Sequence, residues 1–363
     1  MKNLILYGAG KNAVKEIEKV RKDGYLPICF CDADATKQGS VYLGLPVRSL
    51  AEVKVKYRDF FLWVTLADEN KYDVFDYLIH QGIQRDQIVN YEVNKLLEKV
   101  KLDFEEYKNP SRLELEQIRE ELIVNGYNVV DYNIKPDDYH GFKKQFLFGA
   151  DFYGGSEELF EEKVLEHFVA GDLLGLNKDM SYIDIAANES PWAYLLSKQG
   201  YKAMAIDLNG SKRFEGEPNY LVMDATNTTF QDNSIDAVSL QCAYECFIGT
   251  HDTNLIAELA RILKPGGKAI ILPLYMHTHY CGYATMDYCY ESGFHDEGAK
   301  LYYNRKWKNI PFSRKYNITE LERRVLGHAR KHGLEYTIYR VTNGTKIHPD
   351  VYLYFVLELR KNF

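Results

Sequence analysis

The sequence lacks the features that mark membrane-spanning, secreted and fibrous proteins. Its longest apolar runs, such as FFLWVTLA from Phe60, have about 8 residues, whereas a transmembrane helix needs about 20. The first residues contain no signal-peptide core or cleavage site, and 10 Pro in 363 residues exclude a proline-rich or collagen-like chain. We therefore expect a soluble, cytoplasmic protein with no membrane insertion.

Cysteine is also scarce, with 6 residues in the chain, which is too few for a disulfide scaffold. Cys29 and Cys31 lie two apart in a predicted strand, and no second pair follows at a zinc-ligand spacing, so we expect both to be buried as small apolar residues. Among Glu245, His251, His277 and His279, no pair has the His-x-x-x-His or carboxylate-cluster spacing that would indicate a metal. We therefore predict no metal site.

Charge is unevenly distributed along the chain. The net charge of -7 argues against a protein that coats nucleic acid. Residues 300–331, however, contain ten Lys or Arg and only two acids, Glu320 and Glu322. With 46% apolar residues and this length, the chain can bury two cores, so we expect two domains.

Residues 1–95 alternate strand and helix signals and predict a first, Rossmann-like domain. Helices are expected at about 12–22 and 71–80. The predicted strands are 3–8, 26–32, 60–67 and 87–92. The charged stretch 96–155 contains a helical signal at 112–122 and breakers at Pro110 and Pro136, so we interpret it as a helical linker or lid.

Residues 156–363 predict a larger second domain with the same alternation. Seven strands are expected, at 181–186, 202–208, 219–225, 234–242, 268–275, 334–342 and 351–360. The last two are joined without room for a helix, so they should pair antiparallel. The expected fold is α/β, with two doubly wound domains, the second built on a seven-stranded sheet with one antiparallel strand.

Carboxylates end three successive strands of the second domain: Asp184, Asp207 and Asp224. In open parallel sheets, ligands bind beyond the carboxyl ends of the strands. An acid at the second strand end can accept from both ribose hydroxyls, and one at the third can accept from an adenine amino group. A single Asp at such a place would be interpreted as a helix N-cap. Three in register favour a cofactor site.

The second domain resembles the class I S-adenosylmethionine-dependent methyltransferases over roughly residues 156–363. The resemblance is carried by SIDAVSLQCAYECF from Ser234 and by HDTNLIAELARILKPGGKAIILP from His251, with its turn Lys264-Pro265-Gly266-Gly267. It implies S-adenosylmethionine as cofactor. By analogy, the methionine part of the cofactor would contact Asp184, Ala186, Ala187 and Asn188. The ribose would contact Asp207 and Leu208, and the adenine would contact Asp224 and Ala225. Gln241 and Cys242 would line the pocket.

One loop departs from the family pattern. The family's first loop is rich in glycine because the backbone turns sharply and approaches the cofactor closely. The corresponding positions here are Ala186, Asn188 and Ser190, followed by Pro191. Small residues preserve part of the close approach, Asn tolerates positive φ, and Pro suits the first turn of the following helix. We expect the loop to form and to bind the cofactor more weakly.

The acceptor must lie after the fourth and fifth strands, where four candidates for a catalytic base are found: Glu245, His251, His277 and His279. A salt-bridged Glu or a solvated His is the alternative for each. Arg305 and Arg314, in an aromatic-rich insertion at 276–316, are candidates for binding an anionic substrate such as a nucleotide-sugar. Four further cations are expected on the exposed face of a helix: Arg323, Arg324, Arg330 and Lys331.

The first domain carries the dinucleotide fingerprint G-x-G-x-x-A, with Gly8, Gly10 and Ala13 after a strand and Asp32 at the end of the next one. ILYGAG and FCDADATKQGSVYLGLPVRSL resemble a small Rossmann-like domain of bacterial surface-polysaccharide biosynthesis proteins. The resemblance implies that the domain binds a nucleotide, a nucleotide-sugar or NAD(P). The sequence shows no obvious catalytic partner for hydride transfer within residues 1–95, which favours binding over redox chemistry.

Two functions of different class remain at this point. The first is a methyltransferase that acts on a sugar, nucleotide-sugar or related polar metabolite in surface-polysaccharide biosynthesis. The second is a non-catalytic nucleotide-binding scaffold or sensor with a degenerate methyltransferase domain. Asp207 and Asp224 favour the first, and the altered loop at Ala186 to Ser190 favours the second. A small-molecule partner is expected in either case, a homo-oligomer is compatible with the sequence, and nucleic acid is not expected.

Overall fold

The fold was determined as a computed structural model. It describes residues 3–22, 24–57, 59–66, 68–84, 87–90, 105, 107–146, 157–284, 296–303, 312–349 and 351–362. These residues form two compact units, one up to residue 105 and one that contains nearly all residues from 107 onward. The two units are described separately below. No helix in the described ranges is both long enough and apolar enough to cross a membrane.

The first unit is a five-stranded sheet in the order β3-β4-β2-β1-β5. Its strands are β1 Asn3–Tyr7, β2 Pro27–Cys31, β3 Val41–Tyr42, β4 Leu45–Arg48 and β5 Phe60–Val64. Its helices are α1 Ala13–Lys22, α2 Leu50–Lys56 and α3 Asp68–His80. Cys29 and Cys31 are fully buried in β2, as the sequence predicted.

The first unit differs from the sequence-based expectation in two places. Residues 41–56 form the β3-β4 hairpin and α2, which begins at a capping box of Ser49 and Glu52. The sequence prediction contained neither. The strand expected at 87–92 is reduced, in the part that the structure describes, to a single bridge between Ile88 and Leu62. Residues 91 and 92 lie outside the described residues.

The second unit contains an eight-stranded sheet in the order β6-β15-β16-β11-β10-β7-β8-β9. Its strands are β6 Val129–Tyr132, β7 Ser181–Ile185, β8 Lys202–Asp207, β9 Tyr220–Val222, β10 Ile235–Gln241, β11 Leu263–Leu272, β15 Leu334–Val341 and β16 Phe355–Lys361. Strand β16 is antiparallel to both of its neighbours, β11 and β15, whereas the other pairs are parallel.

Seven of these strands were predicted from the sequence, and the eighth, β6, was not. Residues 129–132 pair with β15 at the edge of the sheet, inside the segment that was interpreted as a helical linker or lid. The segment VVDY is short and half polar because an edge strand needs no continuous apolar run. The helix predicted before it is present as Arg112–Val124.

Helices cover the sheet of the second unit. They are α4 Arg112–Val124, α5 Pro136–Phe146, α6 Glu157–Leu174, α7 Trp192–Lys198, α8 His251–Ile262, α9 Ile318–Leu321, α10 Gly327–Lys331 and α11 Gly344–Ile347. A 3₁₀ turn, Tyr244–Cys246, follows β10, and a π-helical turn, Glu322–Leu326, joins α9 to α10. Side chains of β11 alternate between two cores, with Ala269 and Ile271 in one and Ile270 and Leu272 in the other, so the sheet is buried on both faces.

The insertion after β11 contains a second, small antiparallel sheet in the order β13-β12-β14. Its strands are β12 Cys281–Ala284, β13 Lys300–Tyr303 and β14 Phe312–Lys315. Met276 and Tyr316 form an additional bridge at its base. The sheet therefore holds residues 277–281 beside the end of β11, where sequence reasoning placed the acceptor.

Candidate cofactor and acceptor site

Asp184 lies in β7, the first strand that the sequence predicted for the second domain, with only 2% of its surface exposed. Its carboxylate accepts from Ser239 Oγ at 3.2 Å and from Gln241 Nε2 and Ser190 Oγ at 3.5 Å each. Burial outweighs these three bonds and raises the pKa of Asp184 to about 7. A carboxyl group with this pKa gains or loses its proton near neutral pH, and a cation beside it would favour the charged form.

Asp207 ends the second strand, β8, and organises the first loop. Its Oδ2 accepts from the amide of Asn188 at 2.9 Å, and its Oδ1 accepts from the amide of Asn209 at 2.8 Å. The loop has positive φ at Ala186 (54°) and Asn188 (46°), two of the positions where the family pattern has glycine. The loop therefore adopts the left-handed turns that glycine would make easily, with side chains in their place.

Asp224 lies two residues beyond the third strand, β9, and is exposed. Its Oδ1 accepts from the amide and the hydroxyl of Thr226, each at 2.8 Å. The backbone bond from Thr226 is the largest cause of its lowered pKa, to which His251 also contributes. His251 is the exposed first residue of α8 and thus lies on the Asp224 side of the site. Ala225 is buried, whereas Leu208 is 66% exposed.

Gln241 is the last residue of β10, Cys242 follows it, and both form hydrogen bonds to α6. Gln241 donates to Ser239 Oγ at 2.9 Å and accepts from His167 Nδ1 at 2.5 Å. Cys242 has a φ of 50°, and its thiol donates to Glu166 at 3.0 Å. The predicted pocket residues are therefore bonded to the helix that contains KVLEHF.

A set of polar side chains, here called the polar cluster, surrounds Cys242; its members are buried or half-buried except Tyr352, which is 39% exposed. The tyrosine hydroxyls of the cluster lie 3.6 Å and 3.4 Å from Cys242 Sγ, and Glu166 also bonds Lys163 at 3.1 Å. The cluster consists of Glu162, Lys163, Glu166, Cys242, Glu245, Tyr275, Lys315 and Tyr352. Burial raises the pKa of Glu162, Glu166 and Cys242.

Glu245 and Lys315 form the most chemically active part of the polar cluster. Glu245 is 5% exposed, and its Oε2 has no hydrogen-bond partner among the described residues. Burial raises its pKa. Lys315 is 2% exposed, its Nζ lies 3.4 Å from the centre of the Tyr275 ring, and burial lowers its pKa to about 8. The pair combines an unpartnered acceptor with an amine that can lose its proton near neutral pH.

His277 and His279 lie together after β11, their ring centres 4.3 Å apart. Burial, followed by the neighbouring His279, lowers the pKa of His277 to about 4. One ligand atom from each of His277, His279 and Cys281 lies within 4.8 Å of the others. The sequence-based expectation of no metal site considered helical His-x-x-x-His spacing, and it did not consider the alternate spacing that a strand allows.

Arg314 does not have the position expected of a substrate-binding residue. It is fully buried, and its guanidinium donates to both carboxylate oxygens of Asp296 at 2.6 and 2.9 Å and lies 3.2 Å from Asp252. Arg324, expected on an exposed helix face, is 8% exposed and donates to the same Asp252. We therefore correct both expectations, because these arginines belong to a buried ion network. Arg305 lies outside the described residues.

The candidate site of the first unit surrounds the loop after β1. Gly8 has a φ of 106°, and a Cβ atom there would lie 2.9 Å from Thr65 Oγ1. Gly10 has open space around it, and Ala13 is buried at the start of α1. Asp32 accepts from the Ala9 amide at 2.7 Å and from Lys37 Nζ at 3.2 Å. The structure thus brings the four predicted residues to one loop and its supporting acid.

Comparison with known proteins places the strand ends described above in a family. Residues 183–271, from β7 to β11, match the family described as "Methyltransferase domain". This segment is similar to methyltransferase domains. The methyltransferase domain contains Asp184, Asp207, Asp224 and Gln241, whereas His277, Lys315 and the first unit lie outside the matched residues.

Two curated relatives share part of the chain. A demethylmenaquinone methyltransferase of Renibacterium salmoninarum is 28% identical over 109 residues, which are 28% of this chain and 44% of that protein. A ubiquinone/menaquinone biosynthesis C-methyltransferase of Laribacter hongkongensis is 26% identical over 147 residues, 37% of this chain and 57% of that protein. The chain spans about half the length of the curated relatives it matches.

Solved methyltransferase structures are also similar to the chain. One is the 1,6-didemethyltoxoflavin-N1-methyltransferase of Burkholderia thailandensis, solved with 1,6-didemethyltoxoflavin and S-adenosylhomocysteine. It is 12% identical, with a TM-score of 0.40, and covers 72% of this chain and 94% of its own. A methyltransferase from Mesorhizobium loti has 12% identity, a TM-score of 0.37, and coverage of 54% and 98%.

Sequence reasoning missed several residues around the methyltransferase domain. Glu162 and Tyr352 come from α6 and from the segment before β16, and Lys315 comes from the small sheet. Their proximity to Cys242 depends on tertiary contacts between distant segments, which no local sequence pattern predicts. The one local signal was the run KVLEHF, whose Lys163, Glu166 and His167 are too polar for an ordinary covering helix.

Proposed function

We propose that the protein transfers the methyl group of S-adenosylmethionine to a hydroxyl of a sugar, nucleotide-sugar or related polar metabolite. One observation carries the proposal. Asp184 and Asp207, which are suited to the cofactor, lie near the carboxyl ends of β7 and β8. Glu245, whose buried oxygen has no hydrogen-bond partner among the described residues, follows β10 in the same sheet. The match of residues 183–271 supports the methyl donor. The polar cluster supports the class of acceptor.

The proposed reaction is an in-line displacement. The acceptor oxygen attacks the methyl carbon, the carbon–sulfur bond breaks, and its electron pair remains on the sulfur of S-adenosylhomocysteine. Positioning the two reactants lowers most of the barrier. Glu245, whose pKa is raised by burial, is placed to accept the hydroxyl proton. Of the other three base candidates, His277 and His279 lie after β11, the strand that pairs with β10. His251 lies on the side of Asp224.

The lining of the polar cluster favours a polar acceptor. Glu162 Oε1, like Glu245 Oε2, is buried without a hydrogen-bond partner in the described part of the chain. Unpartnered buried oxygens are costly, and a ligand that donates hydrogen bonds to them removes that cost. Quinone acceptors, which the names of the curated relatives indicate for those proteins, offer few donors. A polyhydroxylated acceptor suits two carboxylates and a lysine better.

The first unit is proposed to bind a nucleotide, a nucleotide-sugar or NAD(P) at the loop of Gly8 and Gly10. In this proposal the unit brings the acceptor or its nucleotide carrier to a cytoplasmic enzyme of surface-polysaccharide biosynthesis. The alternative function is a non-catalytic scaffold or sensor with the same two folds. That alternative is supported by Ala186 and Asn188, whose side chains stand where the family pattern has glycine.

Calorimetric titration of the purified full-length protein with S-adenosylmethionine and S-adenosylhomocysteine tests the methyl donor. Micromolar dissociation constants, about -8 kcal/mol, are expected for both. If neither compound binds, the methyltransferase proposal is wrong and the scaffold becomes the better explanation.

The acceptor is tested by incubating the protein and S-adenosylmethionine with UDP-glucose, UDP-N-acetylglucosamine and GDP-mannose, and by measuring S-adenosylhomocysteine and the methylated product by mass spectrometry. Glu245→Gln should bind the cofactor normally and form product about 100-fold more slowly, since general bases contribute about 10² to 10⁴. Glu335→Gln, an exposed residue of β15, is the matched control and should retain the wild-type rate. An equal rate in Glu245→Gln would exclude Glu245 as the base.

A further inference from the structure

Three metal-ligand side chains alternate along the segment that leads into β12. His277, His279 and Cys281 lie two residues apart, and one ligand atom from each lies within 4.8 Å of the other two. The hydrogen bond from the His277 amide to the Tyr316 carbonyl, at 2.8 Å, fixes the start of this segment. The chain then bends at residues 278 and 279 before β12 begins at Cys281.

Two of the three side chains are buried, the third, His279, is half-buried, and both histidines form hydrogen bonds outside the trio. Cys281 is fully buried and His277 is 8% exposed. His279 Nε2 lies 2.8 Å from the Tyr302 hydroxyl, and the His277 ring bonds the backbone of Lys108. Histidines that bind metals commonly use their second ring nitrogen in such a bond, because the bond fixes the tautomer and the orientation of the ring.

An unpartnered hydroxyl points to a missing ligand at the same place. Tyr107 Oη is buried and has no hydrogen-bond partner among the residues that the structure describes. The ring of Tyr107 lies 6.2 Å from His277, 5.8 Å from Tyr302 and 4.6 Å from Tyr283. Buried hydroxyls are usually hydrogen-bonded, so a bound ion or its water would provide the partner that this one lacks.

We propose that His277, His279 and Cys281 bind one divalent transition-metal ion, with Zn²⁺ as the best match. Two imidazoles and a thiolate are a donor set that zinc prefers, at about 2.0 to 2.3 Å from the metal. A tetrahedral arrangement with these bonds places the ligand atoms about 3.3 to 3.8 Å apart. The side chains must therefore close by about 1 Å, and the fourth position is filled by water or by the Tyr107 hydroxyl.

Binding replaces the S–H bond of Cys281 with a sulfur–metal bond, and the proton passes to the buffer. The ammonium of Lys315 lies 5.0 Å from the Tyr283 ring and bonds Ser313, so its charge opposes a cation nearby. The thiolate formed at Cys281 offsets that charge. The three ligands lie outside the cofactor acids of β7 and β8, so the metal proposal does not rest on the cofactor site. A bound metal would occupy His277 and His279, which are also candidates for the catalytic base.

Zinc analysis of the full-length protein tests the proposal. The protein is purified without a histidine tag, dialysed against a chelator, reloaded with Zn²⁺ and washed, and its metal content is measured by mass spectrometry. We expect one zinc per chain. Cys281→Ser and His277→Ala should each weaken zinc binding at least 100-fold, whereas the controls Cys246→Ser and His251→Ala should bind one zinc. A wild-type protein that retains no zinc would overturn the proposal, and so would unchanged binding in both ligand variants.

Cobalt substitution identifies the ligands directly. Co²⁺ bound to the wild-type protein should show a sulfur-to-cobalt charge-transfer band that Cys281→Ser lacks. Tyr302→Phe removes only the bond to His279 and should fold normally, with zinc affinity reduced about tenfold. S-adenosylmethionine binding by each variant checks the fold. A cobalt spectrum without the sulfur band in wild type would exclude Cys281 as a ligand.

Discussion

The first loops of the two units use the same device with different residues. In each unit an acid at the end of the second strand accepts from a loop amide and from the amide two residues after itself. Asp32 accepts from Ala9 and Asp34 at 2.7 and 2.9 Å, and Asp207 accepts from Asn188 and Asn209 at 2.9 and 2.8 Å. The acid therefore supports the first loop in both units.

The units differ in the first strand and in the turn that follows it. Strand β1 carries the buried apolar Leu6 at its fourth position, where β7 carries the buried Asp184. The turn begins with Gly8 in the first unit and with Ala186 in the second. A buried titratable group is a cost that a binding fold avoids unless chemistry uses it. The difference supports the proposal made above of binding in the first unit and reaction in the second.

The largest expected effect concerns Asp184, which has no counterpart in the first unit. Its pKa of about 7 in the folded protein exceeds the ordinary value of 3.8, so the folded form holds a proton that the unfolded chain releases. The stability that depends on this proton is complete below about pH 4 and is lost as the pH rises through 7. Over that window the loss amounts to about 4 kcal/mol.

Asp184→Asn should remove that loss. Urea unfolding of wild type and variant from pH 4 to pH 8 gives the difference in free energy, which should move in favour of the variant as the pH rises. Asp224→Asn is the control, because the pKa of Asp224 is lowered and its contribution changes only at more acid pH. A pH-independent difference for Asp184→Asn would show that the carboxyl ionises normally.

Substitution of the two supporting acids, Asp207 and Asp32, should weaken the binding of different ligands. Asp207→Ala should weaken S-adenosylmethionine binding about 10- to 100-fold, since it removes charge-assisted hydrogen bonds of about 1.5 to 3 kcal/mol. Asp32→Ala should leave that affinity unchanged and weaken binding of UDP-glucose or NAD. Calorimetry with each compound measures both effects. If Asp32→Ala weakened S-adenosylmethionine binding as much as Asp207→Ala, the assignment of cofactor to the second unit would fail.

Substitution of glycine by alanine should have different effects at the two glycines of the first unit's loop. Gly8→Ala should destabilise the protein by about 2 kcal/mol, because the backbone has a φ of 106° and the new Cβ would approach Thr65 within 2.9 Å. Gly10→Ala meets no atom within 4 Å and should change stability by less than about 0.5 kcal/mol. Denaturant unfolding compares them. Equal stability of the two variants would contradict the strained turn at Gly8.

The sequence alone was sufficient to predict the features of the fold that depend on local pattern. Strands such as β7 and β10 are short, mostly buried segments in which apolar residues recur, and the order of the strands along the chain places Asp184 and Asp207 at one edge. Short or polar elements were missed: β6 is an edge strand, and β12 to β14 lie in an insertion with no regular period. Local pattern cannot show which distant segments approach each other.

Buried charge was the hardest feature to predict. Arg314 and Arg324 were interpreted from their surroundings in the sequence, whereas the structure pairs both with Asp252. A cation is buried when a carboxylate from another element reaches it, and that pairing is a property of the tertiary fold. The same reasoning applies to Lys315 and Glu245, whose proximity follows from the packing of the small sheet beside the end of β10.

The smallest expected effect comes from restoring glycine in the second turn. Ala186 has a φ of 54°, and a left-handed residue with a side chain costs about 1 to 2 kcal/mol. Glycine removes that cost but is more flexible when unfolded, by about 0.5 to 1 kcal/mol, and the Ala186 methyl also loses a contact with the core. Ala186→Gly should therefore stabilise the protein by about 0.5 kcal/mol. Asn188→Gly should change stability less, because Asn tolerates this conformation.

Urea unfolding of both variants measures these gains, and calorimetry follows S-adenosylmethionine. Because the wild-type loop already has the left-handed backbone, the cofactor affinity of Ala186→Gly should stay within about threefold of wild type. A large increase in affinity would mean that the alanine side chain itself obstructs the cofactor. The second unit would then be the degenerate partner in this comparison, and the scaffold function would become the better explanation of the altered loop.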